Sequence, residues 1–244
     1  MKTVLTGNVL LFSLFLAGSA PAQTIDLIPL VDLDRDVVQG DWELDGHELV
    51  FTGSAARMSF PYRPPLEYDY TVEFTLTSGS NPWHNTAQLV SHGDVPFTWS
   101  TNAGAGHYCR LEDINGHSVI GNPTLIRYDF VDGGRYTSTV RVRNDRVVCE
   151  INGEVLVDYS TDYSDLSRNG KWTMPDQLNL GLGGYCEGTR IHSAALTVIP
   201  EPSGFVMLAV GAAVLLARAR RRIGPKGRRL ETDPGDSRSG RAGN

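Results

Sequence analysis

The chain has 244 residues, of which 20% are charged and 41% hydrophobic, and these proportions exclude wholesale disorder and a multispan membrane protein. The formal net charge of −6 is unevenly distributed: residues 23–199 carry 24 acidic and 12 basic side chains (balance −12), whereas residues 200–244 carry 4 and 9 (balance +5). An acidic body repels phosphate backbones, so we expect no nucleic-acid partner.

Residues 1–22 have the pattern of a secretory signal peptide. Lys2 supplies the positive start, residues 9–17 are a short apolar stretch, and Ala20-Pro21-Ala22 fits an A-x-A cleavage site. The alternative, a buried core helix, is disfavoured by the position at the extreme N-terminus. We therefore expect an exported protein whose mature chain starts at Gln23.

The body, residues 23–199, consists of short runs of strand-forming residues separated by turn signals. The clearest run starts at Tyr68, where apolar and polar residues alternate with period two as far as Leu76, and Asn152-Gly153 has the sequence of a type I′ hairpin turn. No long amphipathic helix interrupts these runs. An all-β sandwich or jelly roll is therefore predicted. The predicted strands are Glu48–Thr52, Arg57–Phe60, Tyr68–Thr77, Thr86–Ser91, Leu125–Phe130, Thr137–Val142, Arg146–Ile151, Glu154–Tyr159, Asn179–Leu182 and Ile191–Val198.

Several segments of the body resemble a concanavalin A-like jelly roll, in particular laminin-G-like and 3-keto-disaccharide hydrolase-like domains. These segments are residues 40–46 (GDWELDG), 68–74 (YDYTVEF), 134–140 (GRYTSTV), 149–154 (CEINGE) and 191–196 (IHSAAL). The resemblance implies a concanavalin A-like β-sandwich over residues 23–199. The family includes both glycan-binding modules and glycan-cleaving enzymes, so the fold does not choose between them.

Aromatic, histidine and amide side chains in Gly- and Asn-rich segments indicate a glycan-binding site, because flat amphipathic rings suit sugar faces. Packing in the core or at its rim is the alternative for each ring. Asn81, Asn102 and Asn115 lie in the same segments. The candidate ligand-binding residues are Trp83, His84, Trp99, His107, Tyr108, Arg110, Trp172 and Tyr185.

The body lacks the closely spaced carboxylates, E-x-D-x-x-E, with which glucanases of this fold cleave their substrates. Glu73 is the one acid central to the longest predicted strand, and Glu150 and Glu154 flank the Asn152-Gly153 turn, where we expect them to be solvated. We therefore predict no catalytic residues, although an enzyme acting on a glycoside or a 3-keto-disaccharide remains an alternative.

Residues 32–36 (DLDRD), with Glu43 further along, superficially match a calcium-binding loop. Val37 stands where such a loop needs glycine, so a solvated acidic turn is the better interpretation of this segment. No cofactor is predicted, and the alternative is a calcium ion bound elsewhere in the fold. The histidines show no zinc-binding spacing.

Of the three cysteines, Cys149 shares a strand face with apolar neighbours and should pack as a small hydrophobe. Any disulfide should join Cys109 to Cys186.

The C-terminal region begins with Pro200-Glu201-Pro202, followed by the uncharged residues 204–217 and then by arginines. Fourteen helical residues cover about 21 Å, short of the about 30 Å of a bilayer core, and the arginine cluster should stay cytoplasmic. A core helix followed by a basic loop is the weaker alternative, because the stretch has no polar face. The arginines are Arg218, Arg220, Arg221 and Arg222.

This order of features resembles a PEP-CTERM sorting signal over residues 200–222. The resemblance implies a Gram-negative bacterium, recognition of the Pro-Glu-Pro region by an exosortase-type membrane protease, and transient anchoring in the inner membrane. Residues 223–244, a polar tail that looks disordered, extend beyond the usual end of such a signal.

The sequence therefore predicts an exported, non-catalytic protein of the cell surface or extracellular matrix whose jelly-roll body binds polysaccharide. A hydrolase-like enzyme and a purely structural surface protein are the alternatives. The ligand and the oligomeric state are left open by the sequence.

Overall fold

In a computed structural model of the protein, the residues described are 22–53, 55–77, 86–104, 107–185 and 188–200, and all of them belong to one compact unit, 20–200. The described strands are β1 (Gln23–Asp26), β2 (Val37–Gln39), β3 (Trp42–Asp45), β4 (Glu48–Phe51), β5 (Ala56–Ser59), β6 (Tyr68–Thr75), β7 (Thr86–His92), β8 (Val95–Ala103), β9 (Tyr108–Leu111), β10 (Ile126–Arg127), β11 (Arg135–Arg143), β12 (Arg146–Ile151), β13 (Glu154–Ser160), β14 (Gly181–Gly184) and β15 (Arg190–Val198).

The strands form two antiparallel sheets. Sheet A has the order β13-β12-β11-β6-β15-β4-β3, with β1 also paired to β15, and sheet B has the order β10-β9-β8-β7-β14-β5-β2. A short helix, α1 (Leu33–Asp36), and two 3-10 turns, Ile28–Leu30 and Gly170–Trp172, lie outside the sheets. This arrangement confirms the predicted all-β sandwich.

The core lies between the two sheets, and β6 shows how the sequence builds it. Its residues alternate strictly between buried and half-buried, with Tyr68, Tyr70, Val72 and Phe74 fully buried. Period-two alternation is expected of a strand with one face on the core. The predicted strand at this position is confirmed.

The hairpin that joins β12 to β13 also follows the prediction. Asn152 and Gly153 have φ angles of 52° and 80°, and Ile151 pairs with Glu154 across the turn. Both central residues of a type I′ turn need positive φ, which Asn and Gly adopt at least cost. Cys149 is fully buried in the core, as predicted.

Other expectations need correction. Only Ile126–Arg127 of the predicted strand Leu125–Phe130 is paired, while β1, β2, β3, β8 and β9 were not predicted. Glu150 is 6% exposed and accepts a 2.9 Å hydrogen bond from Arg141, so it is buried and paired rather than solvated.

The centre of sheet B differs from sheet A in being covered on both faces. Almost every residue of β7 and β8 is buried, including polar residues that point away from the core. On the outer face, Ala87 and Leu89 pack against Trp172 and Met174 from the segment before β14. The outer face of sheet B is therefore where polar and aromatic groups are buried together.

Candidate ligand-binding face

Cross-strand register places one row of side chains along the outer face of sheet B. The pairs run from β2 to β9, with small residues in the centre and arginines towards the two ends. In order across the sheet, the row is Gln39, Arg57, Gly183, Ala87, Ser100 and Arg110.

Trp172 lies over the small residues at the centre of this row. The Asn169 side chain accepts a hydrogen bond from the Lys171 N–H and caps the 3-10 turn that carries the indole. Trp172 is 1% exposed, and a Cβ on Gly183 would lie 2.3 Å from its Cζ3 atom. Glycine at 183 therefore provides the space that the indole occupies.

Glu112 holds Trp172 and two cations together. β9 ends at Leu111, but the Glu112 N–H continues its ladder by donating to the Thr98 carbonyl, so the Glu112 side chain points to the outer face. The fully buried carboxylate accepts from Trp172 Nε1 at 2.8 Å and from Arg110 Nη2 at 3.2 Å, and Lys171 Nζ lies 3.2 Å away. Three donors from two distant segments thus converge on one carboxylate.

Arg57 and Tyr185 complete the other side of this cluster. The Arg57 guanidinium donates to the carbonyl of Lys171 and, at 3.0 Å, to Gln39 Oε1. The Tyr185 ring meets Trp172 edge to face at a centroid distance of 5.5 Å. Burial raises the pKa of Tyr185, and the charge of Glu112 raises it further, while Arg57 opposes the shift.

We call this surface the Trp172 face. Its members, all on or over the outer face of sheet B, are Arg57, Ala87, Ser100, Arg110, Glu112, Lys171, Trp172, Gly183 and Tyr185.

Four of the eight buried polar side-chain atoms without a partner, counted over the described residues, lie near this face. Within the described part of the chain, Thr98 Oγ1, Ser100 Oγ and the Nε atoms of Arg57 and Arg110 are buried and make no hydrogen bond. Buried polar groups are nearly always paired in native proteins, so such atoms mark places for a bound water. The arrangement is suited to binding a polar ligand.

Four of the eight sequence-predicted ligand-binding residues lie on or beside this face. Arg110, Trp172 and Tyr185 are members of it, and Tyr108, 37% exposed, precedes Arg110 on the same side of β9. The Trp172 ring is buried, so it supports the face instead of offering a flat surface to a sugar, which corrects the role predicted for it.

Trp99 does not belong to the site. It is fully buried between the sheets, where its indole donates a 3.0 Å hydrogen bond to Ser138 Oγ, which in turn donates to Gln88 Oε1 at 2.6 Å. Residue 99 points inward because it shares the core-facing register of β8 with Phe97. The predicted binding role of Trp99 is therefore wrong.

His107 lies in the connection between β8 and β9, directly before the first residue of β9. Its Nδ1 lies 2.6 Å from Asn102 Oδ1, and both residues have positive φ, 53° and 51°. Residues 83 and 84, where Trp83 and His84 were proposed as ligand contacts, lie outside the described residues, so that part of the site stays a prediction.

The charged residues of the face that sequence reasoning missed are Arg57, Glu112 and Lys171. One signal was available for Glu112: Tyr108, Arg110 and Glu112 alternate with two core residues, which is the pattern of a strand with one polar face. No local pattern indicates its bond to Trp172, because the two residues are 60 positions apart.

The acidic segment considered for calcium has another local structure. The Asp32 side chain caps α1 by accepting from the Asp34 N–H at 3.1 Å, and Asp36, 6% exposed, is held by Arg35 at 2.7 Å. Among the described residues, no three His, Cys, Asp or Glu side chains cluster as metal ligands. These contacts are those of a capped turn with its own ion pair.

A second polar cluster lies on the outer face of sheet A. Glu48 accepts from His192 Nδ1 at 2.7 Å and from Arg190 at 2.6 Å, and His192 Nε2 lies 2.7 Å from Thr75 Oγ1. Within the described residues, none of these side-chain atoms is buried without a partner. This cluster ties β15 to its neighbours β4 and β6.

A cavity of about 270 Å³ opens at the edge of the sandwich between β10 and β13. Its lining polar groups are already paired: Tyr159 donates to Asp165, Asp158 lies 3.6 Å from Arg146, and the Thr124 hydroxyl donates to Asn122. The Trp172 face, where polar atoms are unpaired, is therefore the stronger candidate.

The predicted terminal segments lie largely outside the described residues. Pro200 is described, whereas residues 1–21 and 201–244, which include the other sorting-signal residues, are not. The part of the chain that the structure does describe contains no helix with the length and apolar character needed to cross a bilayer.

Cys109 is a buried thiol and residue 186 is not described, so the proposed disulfide stays a prediction.

Solved structures with a similar fold include a lectin and a transglycosylase. The exoplasmic/lumenal domain of VIP36 in its Ca2+-bound form gives a TM-score of 0.51 at 15% identity, over 73% of this chain and 90% of that one. Lectin II from Ulex europaeus gives a TM-score of 0.50 at 11% identity, over 74% of this chain and 99% of that one. Apo Crh5 transglycosylase gives a TM-score of 0.50 at 13% identity, over 76% of this chain and 90% of that one. Neither a protein-family profile nor a curated protein sequence matches the chain. The likenesses show a lectin-like jelly-roll fold.

Proposed function

We propose that the protein is a non-catalytic carbohydrate-binding module and that the Trp172 face is its ligand-binding surface. One observation carries the proposal: the buried Glu112 gathers Trp172, Arg110 and Lys171 into one network, and Lys171 and the nearby Tyr108 are accessible to a ligand. Preorganised polar groups of this kind suit a ligand rich in hydroxyl groups, because the donors are already held in place before the ligand binds.

The accessible groups on and beside the face are those that a sugar ring would meet first. The Tyr108 side chain is 37% exposed and that of Lys171 is 34% exposed, while Glu112 is fully buried beneath. In this proposal, Glu112 is a positioning residue, and Tyr108, Tyr185 and Lys171 touch the ligand. An aromatic ring packs against the apolar face of a sugar, while cations and hydroxyls hold its polar edge.

A non-catalytic role agrees with the surroundings of the one buried acid on this face. Retaining glycosidases need two carboxyl groups about 5 Å apart. The described partners of Glu112 are two cations and an indole, which orient a carboxylate but supply no second acid. An enzyme acting on glycosides is the alternative function, and it predicts release of sugar.

Export and sorting are part of the same proposal and rest on the sequence. Residues 1–22 would direct secretion, and residues 200–222, by their resemblance to PEP-CTERM signals, would engage an exosortase-type protease in the inner membrane. The body would then reach the cell surface or an extracellular matrix. Cell fractionation with and without residues 200–222 tests this part separately.

The experiment that tests the binding function is a glycan-array screen on the purified full chain, with and without calcium, beside an assay of reducing-sugar release. Tyr108→Ala should weaken binding roughly tenfold, the loss expected for one aromatic contact. Val155→Ala, which truncates a 53% exposed side chain on β13 of sheet A, is the matched control and should change nothing.

Each outcome of that experiment decides between the functions. Saturable binding without released sugar, weakened by Tyr108→Ala alone, supports the proposal. Released sugar would replace it with the enzyme. The absence of both, for every glycan tested, would leave a purely structural surface protein.

A further inference from the structure

The Trp172 face is cationic in an acidic protein. It carries Arg57, Arg110 and Lys171 against the single carboxylate of Glu112, a balance of +2, whereas residues 23–199 have a balance of −12. A local charge of the opposite sign to the rest of the body attracts ligands that the body itself repels. The sign of the charge therefore bears on the class of ligand.

Arg57 is the least compensated of these cations. Its described partners are the carbonyl of Lys171 and the side-chain amide of Gln39, both of them neutral. Burial lowers the pKa of its guanidinium, and the one charge interaction that opposes this shift comes from Tyr185. Within the described residues, Arg57 thus has no carboxylate partner, and its Nε is also unpaired.

Arg110 is compensated only in part. One of its nitrogens reaches Glu112 at 3.2 Å, but its Nε is buried and unpaired, and Lys171 competes for the same carboxylate oxygen. Ser100, the cross-strand partner of Arg110, is fully buried with an unpaired hydroxyl. Arginine forks bind planar and tetrahedral anions through paired N–H donors.

We propose that the polysaccharide bound by the Trp172 face is anionic, carrying carboxylate or sulfate groups, and that Arg57 and Lys171 contact those groups. This inference rests on the proposed function and names its ligand class. The anion supplies the counter-charge that the face lacks.

The test compares how tightly charged and neutral forms of the same polysaccharide bind to the purified full chain. Polygalacturonate is paired with its fully methyl-esterified form, and dextran sulfate with dextran, so the two arms distinguish carboxylate from sulfate. We expect at least one charged form to bind at least tenfold more tightly than its neutral partner at low salt. We also expect that advantage to shrink at about 0.5 M salt, because screening shortens the Debye length to a few ångströms.

Matched substitutions locate the contact. Arg57→Gln and Lys171→Gln each remove one positive charge from the face and should weaken binding of the charged form about tenfold. Arg63→Gln makes the same change at a 55% exposed side chain paired with Asp94, outside the face, and should leave binding unchanged. Retention of the wild-type melting temperature in all three variants verifies that each one folds.

The outcomes separate this inference from the function beneath it. A preference for the charged form that Arg57→Gln and Lys171→Gln abolish supports the inference. Equal binding of the charged and neutral forms overturns the inference and leaves carbohydrate binding intact. A preference for the charged form that neither substitution changes also overturns the inference, because the anion would then bind elsewhere. Absence of binding to every glycan of the screen overturns the proposed function, and the inference with it.

Discussion

The Glu112→Gln substitution tests the network under the Trp172 face, because it removes the charge and keeps the shape. The Arg110 side chain is 7% exposed and would lose its counter-ion, whereas Lys171, at 34%, can turn towards water. Removing one partner of a buried ion pair costs about 3–5 kcal/mol. Glutamine keeps one acceptor oxygen for the Trp172 indole, so we place the cost near the lower bound, at about 3 kcal/mol.

A partner substitution separates the lost charge pair from general damage. Adding Arg110→Met to Glu112→Gln removes the stranded cation, so the double variant should be no less stable than Glu112→Gln alone, with a coupling energy of about 2 kcal/mol. Glu154→Gln, at an exposed position beside the β12–β13 turn, is the control and should stay within about 0.5 kcal/mol of wild type.

Urea unfolding followed by tryptophan fluorescence measures these differences, since Trp172 itself reports on the network. Similar m-values in all variants permit direct comparison of midpoints. A Glu112→Gln variant within about 1 kcal/mol of wild type would refute the reasoning, because it would show that the carboxylate is not a buried partner of Arg110.

Two further predictions concern the packing of the face and the outer cluster of sheet A. Gly183→Ala should lower the free energy of unfolding by about 1–3 kcal/mol, because the new Cβ would overlap Trp172. Gly170→Ala is the control and should be neutral, because its Cβ would meet nothing within 4 Å. Equal stability of the two variants in urea would contradict this prediction. The pKa of Glu48 is held below its ordinary value of 4.5 first by His192 and then by Arg190. The ionised Glu48 side chain therefore stabilises the folded protein above that value, and this stabilisation is lost as the pH falls through the folded-state pKa. Glu48→Gln should therefore lose less stability than wild type between about pH 5 and pH 3, and parallel losses in urea midpoints would contradict the assignment.

The sequence was sufficient for the fold where each strand carries its own signal. In β6 the alternation of aromatic and polar residues gives the start of the strand, its inward face and its place in the core. The Asn152-Gly153 turn likewise fixes the β12–β13 pairing from two residues. Such signals are local, because they arise from backbone conformation and from one buried face.

Sheet B was harder to predict because its outer face is covered by a distant part of the chain. In β8, Phe97 and Trp99 face inward and Thr98 and Ser100 face outward, yet all four are buried. The covering residue, Trp172, lies more than 70 positions further along the chain. A period-two pattern tells which residues share a face but not what covers that face, so Trp99 was taken for a ligand contact.

The candidate site was predictable in part for the same reason. The aromatic and basic residues Tyr108, Arg110 and Tyr185 stood out by type and by their glycine-rich surroundings, and they lie on or beside the Trp172 face. Glu112 and Arg57 did not, since their roles depend on contacts 60 and 114 positions away. Contacts of that range follow from topology and are not visible in the local sequence.

The most direct test of the central claim is a hydrogen-exchange footprint of the full chain with a saccharide selected in the binding screen. Binding at the Trp172 face predicts slower amide exchange at residues 107–112 and 170–174, with no change along residues 146–160 of sheet A. Protection confined to sheet A, or to the cavity lined by residues 123–126 and 156–159, would contradict the account and place the ligand elsewhere on the sandwich.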